Sequence, residues 1–394
     1  ATTEFMGESI TFVDCPGSIE FSFESQPILA GCDLAVVVAE PDEKKIPALQ
    51  LIMRQLDDMG VPRMLFLNKI DKATVGVRDL LKLLQPISST PLLLRQIPLR
   101  KEGVIIGSID LALERAYIYR EYAPSEIASI PDDEKAREVE ARFSMLERLA
   151  DHDDALMEQL LDEIEPPKDA IFDDLSADLR EGAITPVLIG TAEKGNGILR
   201  LLKAIRHDAP DVTATRERLG LEAGKPAVQV LKTCHTPHGG KLSIARVLAG
   251  RFPDGAEVYS SRSTSGKISG IYRLLGKEQK KLAAAEEGET VAFGKLDEIA
   301  TGDTLSLDKN VPQLVTLDIP APVYALAMRP KERKDDVRLT AALQRMLQED
   351  PSLTLEQNQD SSETIVSGHG EMHLRVTVER LEGKYQIAVD TQPP

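Results

Sequence analysis

Tryptophan is missing from the 394-residue chain, and aromatic side chains make up only 4% of it. That leaves too little ring surface for an extended base-stacking groove. Cysteine is scarce too: Cys15, Cys32 and Cys234 are odd in number and far apart. They argue against a disulfide framework and fit a reducing cytosol. Positive charge is in deficit, with 47 Lys and Arg against 64 Asp and Glu and a net charge of -17. A surface of that sign repels phosphates, so DNA is not an expected partner, and RNA could be met only through local basic patches. No apolar stretch approaches the ~18–20 residues of a membrane span. No basic region followed by an apolar run opens the chain, so no secretory signal is read and a cytoplasmic monomer is expected. The chain starts Ala1-Thr2-Thr3-Glu4 without an initiator methionine and is read as a fragment.

What is present describes an ordinary globular protein, 42% apolar and 28% charged, long enough for two to four domains. The first part alternates buried strands with amphipathic helices. Ile10–Val13, Leu34–Ala39, Met64–Leu67 and Pro186–Gly190 read as strands, and Leu49, Ile52, Met53 and Leu56 form one helix face. Continuous apolar strands between helices predict a parallel sheet, with ligands beyond the carboxyl ends of its strands. Asp14 and Asn68 are expected at those ends. Asp133 to Ile164 reads as one long helix with Phe143, Leu146, Leu149 and Ala150 on its stripe, stopped by Pro166-Pro167. The polar stretch 208–223 reads as a linker.

From Pro226 short strands alternate with turns at Gly239-Gly240, Asp254-Gly255, Gly276, Glu287-Gly288 and Thr301-Gly302, the pattern of a small antiparallel barrel. From about 320 the order is strand, helix, strand, strand, helix, strand. It runs from Val323–Met328 to Tyr385–Val389, with Leu339, Leu343, Met346 and Leu347, then Leu374, Val378 and Leu381, as helix faces. That is the ferredoxin-like βαββαβ unit. The expected fold is therefore multidomain, α/β plus all-β plus α+β.

Two motifs carry chemistry. Asp14-Cys15-Pro16-Gly17 follows an apolar strand. A carboxylate there can hold Mg²⁺ through water, and the glycine lets its backbone N–H approach a terminal phosphate. Asn68-Lys69-Ile70-Asp71 follows a later strand. In that arrangement the Asp accepts from guanine's ring N–H and exocyclic amine, the Asn bonds the base from the side, and the Lys stem covers the ring face. Adenine offers the opposite donor pattern. Thr191-Ala192, small residues after a third strand, would let a backbone N–H reach the guanine oxygen.

These residues resemble a translational GTPase, specifically elongation factor G and its paralogues, over nearly the whole chain. Asp14–Gly17 is similar to the family's D-x-P-G box, Asn68–Asp71 to its N-K-x-D box, and Gly190-Thr191-Ala192 to its S-A box. Residues 73–185 resemble the insertion that elongation factor G carries in its GTPase domain. Lys241-Leu242 through Thr301–Leu305 resemble its barrel domain. Leu326–Pro330 and Ser367-Gly368-His369-Gly370-Glu371-Met372-His373-Leu374 resemble its third domain. The resemblance implies an incomplete P-loop-type GTPase domain over 1–207 with the insertion at 73–185. A linker at 208–223, a barrel over 224–312 and a ferredoxin-like domain over 320–394 follow. It implies GTP or GDP and Mg²⁺ as ligands, and the ribosome, its RNA and its proteins, as partner.

The chain departs from the family in three ways. No G-x-x-x-x-G-K-[ST] occurs in these residues, so the α/β-phosphate cradle is missing; Ser265-Gly266-Lys267 lacks the leading glycine. Ser18 stands where the family has the histidine that orients the attacking water. The family's fourth and fifth domains are not in the chain. Alternatives stay open: a non-hydrolysing module that binds the ribosome or guanine nucleotide, or a ribosome-protection or recycling paralogue. His369-Gly370-Glu371-Met372-His373 lacks the H-E-x-x-H spacing of a zinc site. Cys234-His235-Thr236-Pro237-His238 reads as a turn. Lys331, Arg333, Lys334 and Arg338 read either as a solvated helix start or as a contact for RNA phosphate.

Overall fold

The structure, a computed structural model, describes every residue except 74–75, 223, 237–239, 277 and 359–362. It divides into two compact units. One comprises Phe5–Glu8 and Cys32–Ala214, the other Ala1–Glu4, Ser9–Gly31 and Thr215–Pro394.

The first unit is built on a four-stranded sheet in the order Ala35–Ala39, Arg63–Leu67, Thr185–Ile189, Leu92–Leu94, parallel throughout. Its two inner strands are buried at every position, as continuous apolar runs require. Helix Ile46–Asp58 buries Leu49, Met53 and Leu56, the face expected from its spacing. The same unit carries an antiparallel sheet of Gln96–Lys101, Val104–Asp110, Arg115–Arg120 and Ala123–Ala128. Ile97, Ile109, Met145, Leu149, Ile171 and Leu175 share its core. A buried pair, Arg95 Nη1 to Asp208 Oδ2 at 2.8 Å, ties the start of this antiparallel sheet to the end of helix Ile198–Asp208.

Two expectations change here. The long helix is two, Lys135–Ala150 and Asp154–Leu161, because Asp153 Oδ1 accepts from Ala155 N–H at 2.7 Å and Leu156 N–H at 3.2 Å and starts a new helix. Phe143 is exposed, and Ala141 and Met145 stand in the stripe instead. The strand before Asp14 does not join the parallel sheet. Among the described residues Glu8–Thr11 pairs with Thr2–Phe5, in a two-stranded sheet. Phe12 and Val13 beyond it are exposed, so the run lacks the two-sided burial of an inner parallel strand.

The second unit contains helix Ser22–Gly31, which tolerates Pro27 in its interior. It packs on strand Ala227–Thr236 so closely that a Cβ on Gly31 would lie 2.6 Å from Leu231 Cδ2. That strand belongs to an eight-stranded antiparallel sheet around Val230, Val247, Phe252, Val258, Phe293 and Leu305. The turns at Gly240, Gly255, Gly276, Gly288 and Gly302 all have positive φ; Gly239, Pro237 and His238 lie outside the described residues. Within 208–223, Val212–Arg218 is a short helix.

The final part pairs strands in the order Thr354–Asn358, Glu363–Gly368, Tyr324–Pro330, Val389–Gln392. Helices Asp336–Glu349 and Glu371–Tyr385 pack around Met328, Leu339, Leu343, Val366, Leu374 and Leu381. This is the ferredoxin-like unit. Its last strand starts at Val389 instead of Tyr385, because the helix runs on to Tyr385 and Gln386 closes it in the left-handed region at φ 56°.

Candidate nucleotide site

In the parallel unit the site grows from the carboxyl ends of three adjacent strands. Asn68 follows strand Arg63–Leu67 and donates its backbone N–H to Ala39 O at 2.8 Å. Its side-chain Oδ1 accepts from Lys69 N–H at 2.8 Å and from Ala192 N–H at 2.9 Å. One amide thus joins two loops, and its Nδ2 makes no bond among the described residues. Lys69 takes a left-handed φ of 54°, a strained conformation that persists at functional sites when neighbours hold it. Asp71 is exposed, and its Oδ1 accepts from the buried Thr191 hydroxyl at 2.9 Å. Its second oxygen makes no bond among the described residues and is open to a donor. Gly190 leaves no room for a side chain: a Cβ would sit 2.5 Å from Asn196 O and 2.6 Å from the Phe66 ring.

Sequence reasoning missed Glu40, at the end of the neighbouring strand. It accepts from Lys69 Nζ at 2.6 Å and Lys45 Nζ at 2.9 Å. The Lys69 ammonium, then that of Lys45, holds the Glu40 carboxyl down at about 2, and Glu40 raises Lys69 in turn. The signal available in the sequence was an acid directly after a parallel strand adjacent to the N-K-x-D strand. At the third strand end the Ala192 N–H donates to Asn68 Oδ1 at 2.9 Å, and the Thr191 N–H donates to Asn196 O at 2.9 Å. Both N–H groups thus have partners within the fold.

Asp14, Cys15, Pro16, Gly17 and Ser18 belong to the other unit. Asp14, Pro16, Gly17 and Ser18 are exposed. Burial raises the Cys15 thiol, outweighing its hydrogen bond with Ser25, so it is no nucleophile at neutral pH. A Cβ on Gly17 would meet nothing within 4 Å, which leaves its backbone open to a phosphate. Ser18 occupies the cap position of the turn Ile19–Phe21, but its hydroxyl makes no cap bond. Among the described residues no three His, Cys, Asp or Glu side chains form a metal-binding group. Asp14 therefore fits Mg²⁺ only in the manner of nucleotide sites, where one carboxylate shares the ion with water and phosphates.

The basic cluster is mostly neutralised locally. Lys334 pairs with Glu332, Arg338 with Asp335 at 2.5 Å and Lys331 with Asp390 at 3.8 Å. The second histidine of the H-G-E-M-H run is buried against Asp350, with Nε2 at 2.9 Å from Oδ2.

Three family models match in succession: the elongation factor Tu GTP-binding domain over residues 1–211, elongation factor G domain 2 over 225–308, and elongation factor G domain III over 319–393. An elongation factor G-like protein of Synechocystis sp. (strain ATCC 27184 / PCC 6803 / Kazusa) is 40% identical over 388 residues, 98% of this chain and 57% of the relative. The crystal structure of a Thermus thermophilus protein superposes with a TM-score of 0.87 at 28% identity, covering 100% of this chain and 58% of that one. The chain thus spans somewhat more than half the length of the relatives it matches.

Proposed function

This chain belongs to the elongation factor G-like translational GTPases, and from that premise we propose that it reads guanine through Asn68, Lys69 and Asp71. The full-length protein then uses GTP to drive domain movement on the ribosome in the cytoplasm. The observation that carries the guanine reading is the bond of the Thr191 hydroxyl to Asp71 Oδ1, which leaves the other carboxylate oxygen open. Asn68, already anchored through its carbonyl to both loops, presents its amide nitrogen to the base. The Lys69 stem covers the ring while Glu40 holds its ammonium.

Asp14 and the Gly17 N–H serve the phosphate end. Mg²⁺ would supply charge neutralisation between the phosphates, with Asp14 holding it through water. Ser18 takes the position of the water-orienting group, its hydroxyl free of any capping duty. A phosphate loop is absent from the sequence, so residues 1–394 alone are expected to bind nucleotide weakly. The Ser18 hydroxyl reaches less far than an imidazole, which keeps a slow or non-hydrolysing mode as the second reading.

In the full-length protein, Asp71→Asn swaps the acceptor for an amide. It should lower GTP affinity by about 10²-fold or more and favour xanthosine triphosphate, because a site built around a hydrogen bond rejects the mismatched base. Competition titration of both nucleotides measures this. Equal affinities before and after the change would remove the guanine reading.

A further inference from the structure

The segment just after Ser18 carries out a task in the ferredoxin-like part of its own unit. Helix Glu371–Tyr385 has Gly370 at its cap position, where Ser, Thr, Asp or Asn would ordinarily accept from one of the first free N–H groups. Gly370 has no side chain to do so. The acceptor comes instead from Glu20, whose Oε2 takes the N–H of His373, the third helical residue, at 2.8 Å. This is the bond a local cap would make, delivered from a distant point of the chain.

The glycine itself testifies to the fit. Gly370 has φ 168°, extended backbone open to any residue, so conformation does not explain it. Space does: a Cβ there would lie 2.3 Å from Glu20 Cδ and 2.5 Å and 2.7 Å from its carboxylate oxygens. The three nearest atoms are all Glu20's.

On the helix side the seat is held by a chain of hydrogen bonds. His373 is buried, and its Nδ1 accepts from His369 N–H at 3.1 Å. That leaves the ring proton on Nε2, which donates to Asp350 Oδ2 at 2.9 Å. Ser352 in turn holds Asp350 Oδ1 through both its N–H, at 3.0 Å, and its hydroxyl. Gly368 makes room for that ring, since a Cβ there would lie 2.8 Å from His373 Nδ1. Phe21, next to Glu20, sets its ring edge-on to His373 with centroids 5.4 Å apart.

We propose that Glu20 is a positioning residue that caps helix Glu371–Tyr385 from outside, and that Gly370 is glycine to admit it. The Asp14–Ser18 loop is thereby tethered to the ferredoxin-like part. A carboxylate at a helix N-terminus gains from the free N–H groups and the helix dipole together. The tether has no local competitor, because Gly370 offers no acceptor of its own.

The test compares amide hydrogen exchange over residues 19–26 in the unmodified full-length protein, Glu20→Ala, Glu20→Gln, Gly370→Ser and the Glu20→Ala/Gly370→Ser double variant. Gly370→Ser supplies a local cap, so the helix stays protected. The new side chain evicts Glu20, so exchange over 19–26 should accelerate about tenfold or more, as loss of a hydrogen bond to a charged group predicts. Glu20→Ala should accelerate 19–26 alike and also loosen the first turn of the helix. The double variant should restore that turn without slowing 19–26. Glu20→Gln keeps an acceptor and should fall between. Additive losses in the double variant, or unchanged exchange over 19–26 in Gly370→Ser, would overturn the proposal. Its bearing on hydrolysis rests on the proposed function and has a separate readout. If exchange responds as expected while ribosome-stimulated GTP turnover does not, the tether stands and its bearing on hydrolysis falls.

Discussion

The two proposed nucleotide-binding segments, one in each compact unit, are built differently. The base-reading half is stitched across neighbouring strands of one buried sheet. Asn68 bonds two loops, Thr191 holds Asp71, and Gly190 is clamped between Phe66 and Asn196. The phosphate half is an exposed loop, Asp14 to Ser18, anchored beyond its end by Glu20 and Phe21 on a helix. The first is preorganised by strands that cannot move separately. The second depends on whether one carboxylate keeps its seat. The proposed base-reading segment is thus held within one sheet, whereas the proposed hydrolytic segment is conditional, as segments that respond to a ligand must be.

That comparison can be broken most forcefully at Ser18. Ser18→His should raise ribosome-stimulated single-turnover hydrolysis in the full-length protein by about 10²–10⁴-fold, the range of a positioned proton-transferring or orienting group. Nucleotide affinity should barely change, since water positioning acts in the transition state. Ser18→Ala should leave thermal stability unchanged, because the hydroxyl caps nothing. Equal turnover in all three proteins would show that the position has no part in catalysis.

Next in size is Gly190→Ala. Its methyl would collide with the Asn196 carbonyl and the Phe66 ring. Overpacking of this kind costs about 1–3 kcal/mol. Denaturant unfolding should show the loss, and guanine affinity should fall with it because Thr191 and Asp71 are displaced together. The same methyl introduced at Gly17 meets empty space and should leave stability intact. If the two substitutions cost the same, the contrast between fixed and conditional halves is lost.

The smallest effect concerns Glu40. Its folded-state pKa lies at about 2, below the ordinary value of 4.5. A depressed carboxyl contributes stability that is present above the ordinary value and lost as pH falls from about 4.5 through 2. Above pH ~5 no pH dependence from this group is expected. Carbon-detected NMR titration should place its midpoint near 2, and Lys69→Gln should move it back toward 4.5. Both partners are partly exposed, so salt should weaken the pair. A midpoint unmoved by Lys69→Gln would mean Lys69 is not what Glu40 holds.

Residues 64–67 and 186–190 were legible as strands because burial on both faces leaves no alternative to an unbroken apolar run. Helix faces such as Leu49, Met53 and Leu56 were legible because period and burial agree. The strand before Asp14 was misplaced since a short apolar run reads alike in a parallel sheet and in an antiparallel ribbon. The single long helix over 133–164 was misread because an aspartate inside a polar stretch becomes a cap only when a second helix has somewhere to pack. The bond of the Ala192 N–H to Asn68 was not legible because its acceptor is 124 positions away in the chain.

The order of α/β, all-β and α+β parts, and the family to which they belong, follow from the chain alone. Local periodicity, turn glycines and short motifs are written along it, and each is enforced by its immediate neighbours. Which groups near the motifs are already spent, and which are open, was settled by folding. Packing paired Glu40 with Lys69, closed the Ala192 N–H, opened one oxygen of Asp71 and set Glu20 where Gly370 has no side chain. A hydrogen bond is satisfied by whichever partner folding brings within about 3 Å, and that distance is fixed by the packing of elements remote from one another in sequence.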